Sequence, residues 1–328
     1  MTDPGKTTVL VTRRWTTAVY EALAQRYDAR LNPDDRALSA EQIVAGCEGA
    51  TVLCPTTMDR LDSSLINALP DCVRLVAGFG AGTEHIDVAA AHERGMLVSN
   101  TPGAVTEDTA DIAFALILAA CRRLVHGDSH LRAGRWQGVQ IDEPLAGMSV
   151  SGATLGIVGL GEIGRAVARR ARAFGMKILY HNRSRKPDAE KEFDAGFCPQ
   201  LGQLLESSDV VSLHCPLTPS THHLIDRAAL SHMKPTAVLV NTARGPVVDE
   251  SALIESLSSG GIFAAGLDVY EREPEVPAAL VALENVVLAP HLGTATHNAR
   301  DAMGMRVIEN IETFLSTGTP TDLVNPSV

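Results

Sequence analysis

The sequence predicts an α/β protein with two doubly wound parallel sheets, and three observations carry that expectation. Apolar residues make up 45% of the 328 residues but aromatics only 4%, so the cores must be built from Ala, Val, Leu and Ile. That composition suits strands buried on both faces. Short β-branched or apolar runs bounded by turn residues recur along the chain with helical spacing between them, the alternation of βαβ units. These runs form two series rather than one, separated by a long apolar helix pattern.

The first series comprises TTVLVT (7–12), YDARLN (27–32), ATVLCP (50–55), VRLVAG (73–78) and MLVSNT (96–101). Its intervals carry helical spacing, as in Ala18, Ala22 and Leu23, or Leu61, Leu65, Ile66 and Leu69. The second series is ATLGIVG (153–159), KILYHN (177–182), DVVSLH (209–214), AVLVNT (237–242), FAAGLDV (263–269) and VVLAP (286–290). Between them a single helix is expected from Thr106 to about Ala133, its acidic first turn and basic later part matching the helix dipole. A last helix is expected over 297–315, where Ala302, Met305, Val307, Ile308, Ile311, Phe314 and Leu315 recur at helical spacing.

A net charge of −11 argues against non-specific binding to nucleic acid or anionic membrane. The N-terminus lacks the charged start and apolar run of a signal peptide, and the longest apolar stretch, Ile112 to Cys121, is too short to span a bilayer. Six cysteines lie without a CxxC pair, mostly flanked by apolar residues, so reduced core thiols in a cytoplasmic protein are expected. No metal site is expected: His126 and His130 have i, i+4 spacing but sit among polar residues with no third ligand.

The strongest local motif is TLGIVGLGEIGRAVARRA, where Gly159, Gly161 and Gly164 form GxGxxG between a strand and an amphipathic helix. The first glycine permits the tight turn, the second lets backbone approach a pyrophosphate, and the third lets helix pack close to strand. The helix N-terminus then holds the anion. A nicotinamide dinucleotide in a Rossmann-like sheet is the expected ligand.

The residue that ordinarily binds the adenosine ribose lies about 20 residues on, at the end of the second strand. That position is Asn182, 18 residues after Gly164. An aspartate there would accept from the ribose diol and repel a 2′-phosphate, by about 4 kcal/mol at ~4 Å and an effective dielectric near 20. Asn182 removes the repulsion, and Arg183, Ser184 and Arg185 supply phosphate donors. NADP is therefore expected in preference to NAD, with NAD still possible.

Three further stretches end strands of the second series, where open α/β sheets bind ligands. LVNTARGPVVDE places Arg244, GLDVYEREPEVP places Asp268 and Glu273, and VVLAPHLGTAT places His291. Together they offer a fixed cation, a carboxylate and an imidazole. Arg244 can bind the carboxylate of a 2-oxo acid, His291 can donate a proton to the keto oxygen, and Glu273 can favour the protonated imidazole.

At this point the chain resembles the D-isomer-specific 2-hydroxyacid dehydrogenases along nearly its whole length. The likeness is carried by GFGAGTEHID (78–87), NTPGAVTEDTADIAFALILAACRR (100–123), LGIVGLGEIG (155–164), HCPLTPSTHHLI (214–225), VNTARGPVVDE (240–250), GLDVYEREP (266–274) and PHLGTAT (290–296). Within the family the basic segment and the C-terminal helix region look most like glyoxylate/hydroxypyruvate reductases. The resemblance implies Arg244, Glu273 and His291 as the catalytic set. It implies that Asp268 binds the nicotinamide carboxamide, with Thr109, Thr242, Ala243 and Gly293 nearby. Leu160, Gly161, Glu162 and Ile163 would line the pyrophosphate, and Cys215, Pro216 and Thr221 would lie along the cofactor. The segment Ala77, Gly78, Phe79, Gly80, Ala81 and Gly82 would present amides to the substrate carboxylate, as its three glycines allow. It also implies an interleaved chain, with 1–101 and 291–328 binding substrate, 102–290 binding cofactor, and a homodimer through the helix region after residue 101.

The family includes neighbours of different activity. Formate dehydrogenases carry Gln where Pro290 stands here, and phosphoglycerate dehydrogenases commonly add regulatory domains for which this chain is too short. Phosphite oxidation and other D-2-hydroxyacid specificities stay open, as does a binding-only role like that of the corepressors sharing this fold. Trp136 is present after the dimer helix, but Val139 stands where some hydroxypyruvate reductases carry a second tryptophan.

Overall fold

A computed structural model describes residues 5–139 and 145–324. They form two compact units, divided at Val105/Thr106 and Gly293/Thr294. The sequence assigns His291 to the substrate-binding part. In the structure it belongs with the unit that carries Arg244 and Glu273, because backbone bonds to Asp268 and Ala289 hold it there.

The first unit starts with β1 (Thr8–Val11), α1 (Thr17–Arg26), β2 (Asp28–Arg30), α2 (Ala40–Gly46), β3 (Val52–Cys54), α3 (Ser63–Ala68), β4 (Leu75–Ala77), α4 (Val88–Glu93) and β5 (Leu97–Ser99). Its strands form a parallel sheet in the order β2-β1-β3-β4-β5, the flavodoxin-like winding. The three central strands are buried throughout, or nearly so, as the continuous apolar runs require.

The second unit opens with α5 (Thr106–Cys121) and α6 (Leu124–Arg132), then β6 (Thr154–Val158), α7 (Glu162–Ala173), β7 (Lys177–His181), α8 (Pro187–Phe193), β8 (Ala195–Phe197), α9 (Leu201–Ser207), β9 (Val210–Leu213), α10 (Arg227–Ser231) and β10 (Val238–Asn241). A 3-10 turn at Gly245–Val247, α11 (Glu250–Ser258), β11 (Ala264–Leu267), α12 (Ala278–Val281) and β12 (Val286–Leu288) complete it. Its parallel sheet runs β12-β11-β10-β9-β6-β7-β8, so the winding reverses between β6 and β9. The chain then returns to the first unit through α13 (His297–Thr317).

Two expectations about elements change. The single helix from Thr106 to about Ala133 is two helices, α5 and α6, broken at Arg123, whose φ of 50° is left-handed. The cause is a competitor for the helical acceptor: the Met148 amide donates to the Cys121 carbonyl at 2.9 Å, and the next turn starts afresh. The edge strand β8 had no sequence signal, being three residues with a glycine at its centre. Gly196 is needed there because a side chain would meet Leu179 at 2.8 Å. All six cysteines are free, as expected, and burial pushes the Cys47 and Cys121 thiols up to about 12. Cys72 departs from the core reading, since it is exposed beside Asp71.

Helix starts are set locally by side chains. Ser39, Asp62, Asp87, Asp226, Asp249 and Thr296 each accept from an amide three residues on. Helix α7 differs: its N-cap is Gly161, with no side chain to close the turn. Among the described residues, no helix is long and apolar enough to cross a membrane.

In the first unit, α13 lays Val307, Ile308 and Ile311 against a core that includes Val9, Val11, Val19 and Leu23. Gly304 permits that approach, since an added Cβ would lie 2.5 Å from Val19 Cγ2. Gly304→Ala is expected to overpack this contact by about 1–3 kcal/mol. Thermal unfolding should show a lower midpoint, and an unchanged or higher one would contradict this account of the packing.

Candidate active site

The reversal between β6 and β9 opens a crevice at the carboxyl ends of these strands, and the glycine-rich turn stands in it. Gly159 adopts φ 98° and abuts the next strand so closely that a Cβ would sit 2.7 Å from the Cys215 amide nitrogen. Gly164 lies over Gly159, whose carbonyl would be 2.3 Å from a Cβ. Gly161 faces open space, with nothing within 4 Å of its notional Cβ. The three glycines thus separate three demands: one permits the turn, one the close helix approach, and one leaves open space.

Not every expected pyrophosphate donor is available. The Leu160 amide donates to Asn182 Oδ1 at 2.8 Å, so the anion-facing donors narrow to the uncapped start of α7 from Gly161 through Glu162 and Ile163. Glu162 also reaches back to Thr106 Oγ1 at 3.4 Å. Asn182 therefore fastens the end of β7 to the phosphate turn through its oxygen. Beyond it, Arg183 and Ser184 are exposed and form no hydrogen bond or ion pair with described residues, while Arg185 is bound to Glu190. Of the two guanidiniums the sequence assigns to phosphate, one is already held by the protein.

Along the other wall, Thr221 Oγ1 donates to the Pro216 carbonyl at 2.6 Å and accepts from the Thr218 amide at 2.8 Å. Its hydroxyl staples the 216–221 loop, so its role in the structure is to hold that loop. Next to Cys215, His214 bonds Ser212 through Nε2 at 2.8 Å, and burial pushes its pKa down to about 4, which keeps it neutral.

The three strand-end stretches converge after β10, β11 and β12. Asp268 is buried at the end of β11 and accepts from the amides of Leu292 at 2.6 Å and Gly293 at 2.8 Å. Burial raises its pKa, and those two amides counter the rise. Thr109 of α5 donates to the Gly293 carbonyl at 3.2 Å, closing the turn from its other side. Held this way, His291 takes a left-handed φ of 54° and its Nδ1 lies 2.7 Å from Glu273 Oε2. The other Glu273 oxygen accepts from the Tyr270 amide at 3.0 Å.

The electrostatics of this pair have a definite sign. The hydrogen bond that His291 donates to Glu273 raises the His291 pKa above 6.5 against the opposing effect of burial, with further help from the charges of Glu273 and Asp268. For Glu273, burial pushes upward, but the hydrogen bond and charge of His291, the Tyr270 amide and Arg244 bring it below 4.5. Arg244 extends from the end of β10, donating through Nη1 to the Ala243 carbonyl at 2.6 Å, and its charge acts on both members of the pair.

Sequence reasoning missed the residues that join these loops. Gly245 packs directly on the Tyr270–Glu271 backbone, and an added Cβ would overlap it at 1.9 Å. Glu271 accepts from His223 Nε2 at 2.7 Å and from the Glu250 amide at 3.2 Å, while the Tyr270 hydroxyl donates to the Ala289 carbonyl at 2.9 Å. The only signal for Gly245 was its place after Arg244. His223 and Glu271 gave none, because their pairing spans 48 residues.

Within the first unit, the expected anion segment also narrows. Ala77 ends β4, the Gly78 amide donates to the Ser99 carbonyl and the Phe79 amide to Pro55, each at 2.8 Å. The amides of Gly80, Ala81 and Gly82 take no partner among the described residues. Asn100 and Thr101 fix this turn by donating to the carbonyls of Ala81 and Gly80.

Comparison with known proteins now decides the family. Residues 114–293 match the family model described as D-isomer specific 2-hydroxyacid dehydrogenase, NAD binding domain. The chain belongs to that family. It is 42% identical to a glyoxylate reductase of Thermococcus litoralis, covering 98% of both chains, and 44% identical to one of Korarchaeum cryptofilum, covering 98% of this chain and 97% of that one. It also superposes with a TM-score of 0.87 on a Sinorhizobium meliloti NADPH-dependent glyoxylate/hydroxypyruvate reductase solved with NADP and malonate, at 33% identity over 99% of this chain and all of that one. As a D-2-hydroxyacid dehydrogenase the protein is an oxidoreductase that uses a nicotinamide cofactor.

The residues present fit that cofactor. The start of α7 is uncapped, the space over Gly161 is open, and two polar atoms at strand ends, His214 Nδ1 and Thr242 Oγ1, are buried with no partner among the described residues. Gly293 is buried beside the Asp268 carboxylate, and Ala243 is buried past the end of β10.

The geometry of the His–Glu pair predicts its pH behaviour. His291, its pKa raised, adds stability in full below pH 6.5, and the contribution is lost as pH rises through the raised value. Glu273, its pKa lowered, contributes above pH 4.5 and loses that as pH falls through the depressed value. Glu273→Gln should therefore lower the His291 titration midpoint followed by NMR, and an unmoved midpoint would refute the coupling.

Proposed function

We propose that this enzyme reduces a small 2-oxo acid, glyoxylate or hydroxypyruvate, to the D-2-hydroxy acid, with NADPH as preferred donor and NADH as the weaker one. The observation that carries this reading is the 2.7 Å contact between His291 Nδ1 and Glu273, with the Arg244 charge acting on both. It is an acid held protonated beside a cation that can bind an anionic carbonyl compound. When bound, a reduced nicotinamide would supply the hydride.

The protein does the rest. Arg244 binds the substrate carboxylate and polarises the keto oxygen. His291 gives the proton on Nε2 to that oxygen, because Nδ1 is engaged with Glu273. Glu273 keeps the imidazole cationic until transfer and stabilises its orientation afterwards. Asp268 has oxygen lone pairs left for a carboxamide after accepting from Leu292 and Gly293. The amides of Gly80, Ala81 and Gly82 carry the anion role proposed for their segment.

Asn182 in place of an acid, with Arg183 and Ser184 exposed and unpaired among the described residues, supports NADPH. The relatives named glyoxylate reductase support the substrate class, and the Sinorhizobium protein solved with NADP supports the cofactor. A homodimer through the region after residue 101 is part of the same reading. Leu124, Val125, Leu131, Trp136 and Val139 expose apolar side chains there, whereas α5 buries its apolar face, including Phe114, Leu116 and Ile117, in its own unit.

A panel of glyoxylate, hydroxypyruvate, pyruvate and phenylpyruvate, followed by loss of absorbance at 340 nm, tests the activity. NADPH should show the lower KM, and Arg183→Ala should raise that KM about tenfold, the worth of about 1.4 kcal/mol from a charge-assisted contact, while leaving the KM for NADH unmoved. Equal efficiency with both cofactors would overturn the preference, and no turnover with any acid would favour a binding role. Sedimentation should give a dimer, and a monomer would remove the dimer from the reading.

A further inference from the structure

Arg185 does not project freely from the loop after β7. Its Nε lies 2.8 and 3.0 Å from the two Glu190 oxygens, and its Nη2 lies 2.8 Å from Oε2. This is a two-point grip on one edge of the guanidinium. It leaves Nη1 and the outer N–H of Nη2 on the opposite side, where no described residue engages them. The Arg185 side chain is 66% exposed, whereas that of Glu190 is only 15% exposed. The carboxylate is thus the fixed member and the guanidinium the presented one.

Glu190 is itself anchored from beneath. The Tyr180 hydroxyl donates to Glu190 Oε1, and the Lys186 amide donates to the same hydroxyl at 2.8 Å. The Tyr180 ring is fully buried, 5.2 Å from Phe197 of β8. One buried tyrosine therefore joins strand β7, the first turn of α8 and the backbone of the 182–186 loop. Asn182 fixes the other end of that loop to the phosphate turn through Leu160.

We infer that Glu190 is the positioning residue of a preformed 2′-phosphate seat, holding Arg185 by its Nε edge so that its free edge stands with Arg183 and Ser184 toward the adenosine ribose. The inference rests on the NADPH reading above and assigns it a device that the sequence conceals, since an acidic residue eight positions past Asn182 looks adverse to a phosphate. Two effects of Glu190 oppose each other. Its charge repels a phosphate, but the guanidinium lies between the two and screens it. Its grip removes the rotamer freedom that an exposed arginine would otherwise lose on binding. The second effect governs here, because both carboxylate oxygens are spent on donors and the site is solvent-exposed, where repulsion is weak.

Calorimetric binding of 2′,5′-ADP and 5′-AMP to the full-length protein tests this without turnover. The wild type should bind 2′,5′-ADP more tightly. Glu190→Gln, which cannot accept at two points, should weaken 2′,5′-ADP roughly five- to tenfold and move 5′-AMP less than about twofold. Tyr180→Phe, which keeps the ring but drops the anchor, should give the same selective loss at smaller size. Glu190→Gln added to Arg185→Ala should cost nothing more, because the glutamate acts through the arginine. Unchanged or tighter 2′,5′-ADP binding by Glu190→Gln, or equal weakening of both ligands, would overturn the positioning role alone. A wild type that binds both ligands equally would overturn the NADPH reading and this inference with it.

Discussion

The grip of the buried Asp268 carboxylate on the amides of Leu292 and Gly293 is the constraint on which the site depends. A carboxylate placed where water is excluded must spend its lone pairs on donors, and two charge-assisted bonds to consecutive amides are worth roughly 1.5–3 kcal/mol each. Those bonds oblige the chain to turn sharply after β12, and His291 absorbs the turn at a left-handed φ. An imidazole thereby leaves the sheet at one fixed angle, within reach of Glu273. The histidine is placed by the backbone that follows it.

A second constraint brings the other reactive groups to meet it. The 3-10 turn after Arg244 presses Gly245 onto the Tyr270–Glu271 backbone, and Glu271 accepts from His223 and the Glu250 amide at the same seam. Tyr270 faces both ways, its amide serving Glu273 and its hydroxyl the carbonyl of Ala289. The ends of β10, β11 and β12 are thus bonded to one another through main chain as much as through side chain. The phosphate end follows the same logic, since Gly159, Gly164 and the Asn182–Leu160 bond shape the turn through backbone contacts.

Much of this was legible in the linear chain. Buried parallel strands read as apolar runs, and eleven of them match expected segments. The glycine spacing and the residues at the ends of β10, β11 and β12 point to dinucleotide chemistry in the sequence itself, because each motif packs its chemistry within about a dozen residues. What escaped was set by partners remote in sequence. The break between α5 and α6 depends on an amide 27 residues beyond Cys121. The strand β8 has too few residues to carry a period, and it exists because β7 offers an edge.

Sequence by itself determined the fold class and singled out a glycine-rich turn and a set of candidate reactive side chains, since these follow from local periodicity and from residue types grouped at strand ends. Tertiary structure alone decided which of those groups are available. Leu160, Gly78 and Phe79 have amides that look equivalent to their neighbours in the sequence, yet each is already bonded. Arg183 and Arg185 look alike, yet one stands unpaired among the described residues and the other is held at two points by Glu190. A hydrogen-bonding group has a fixed number of donors and lone pairs, and only the folded chain shows which of them the protein has already used.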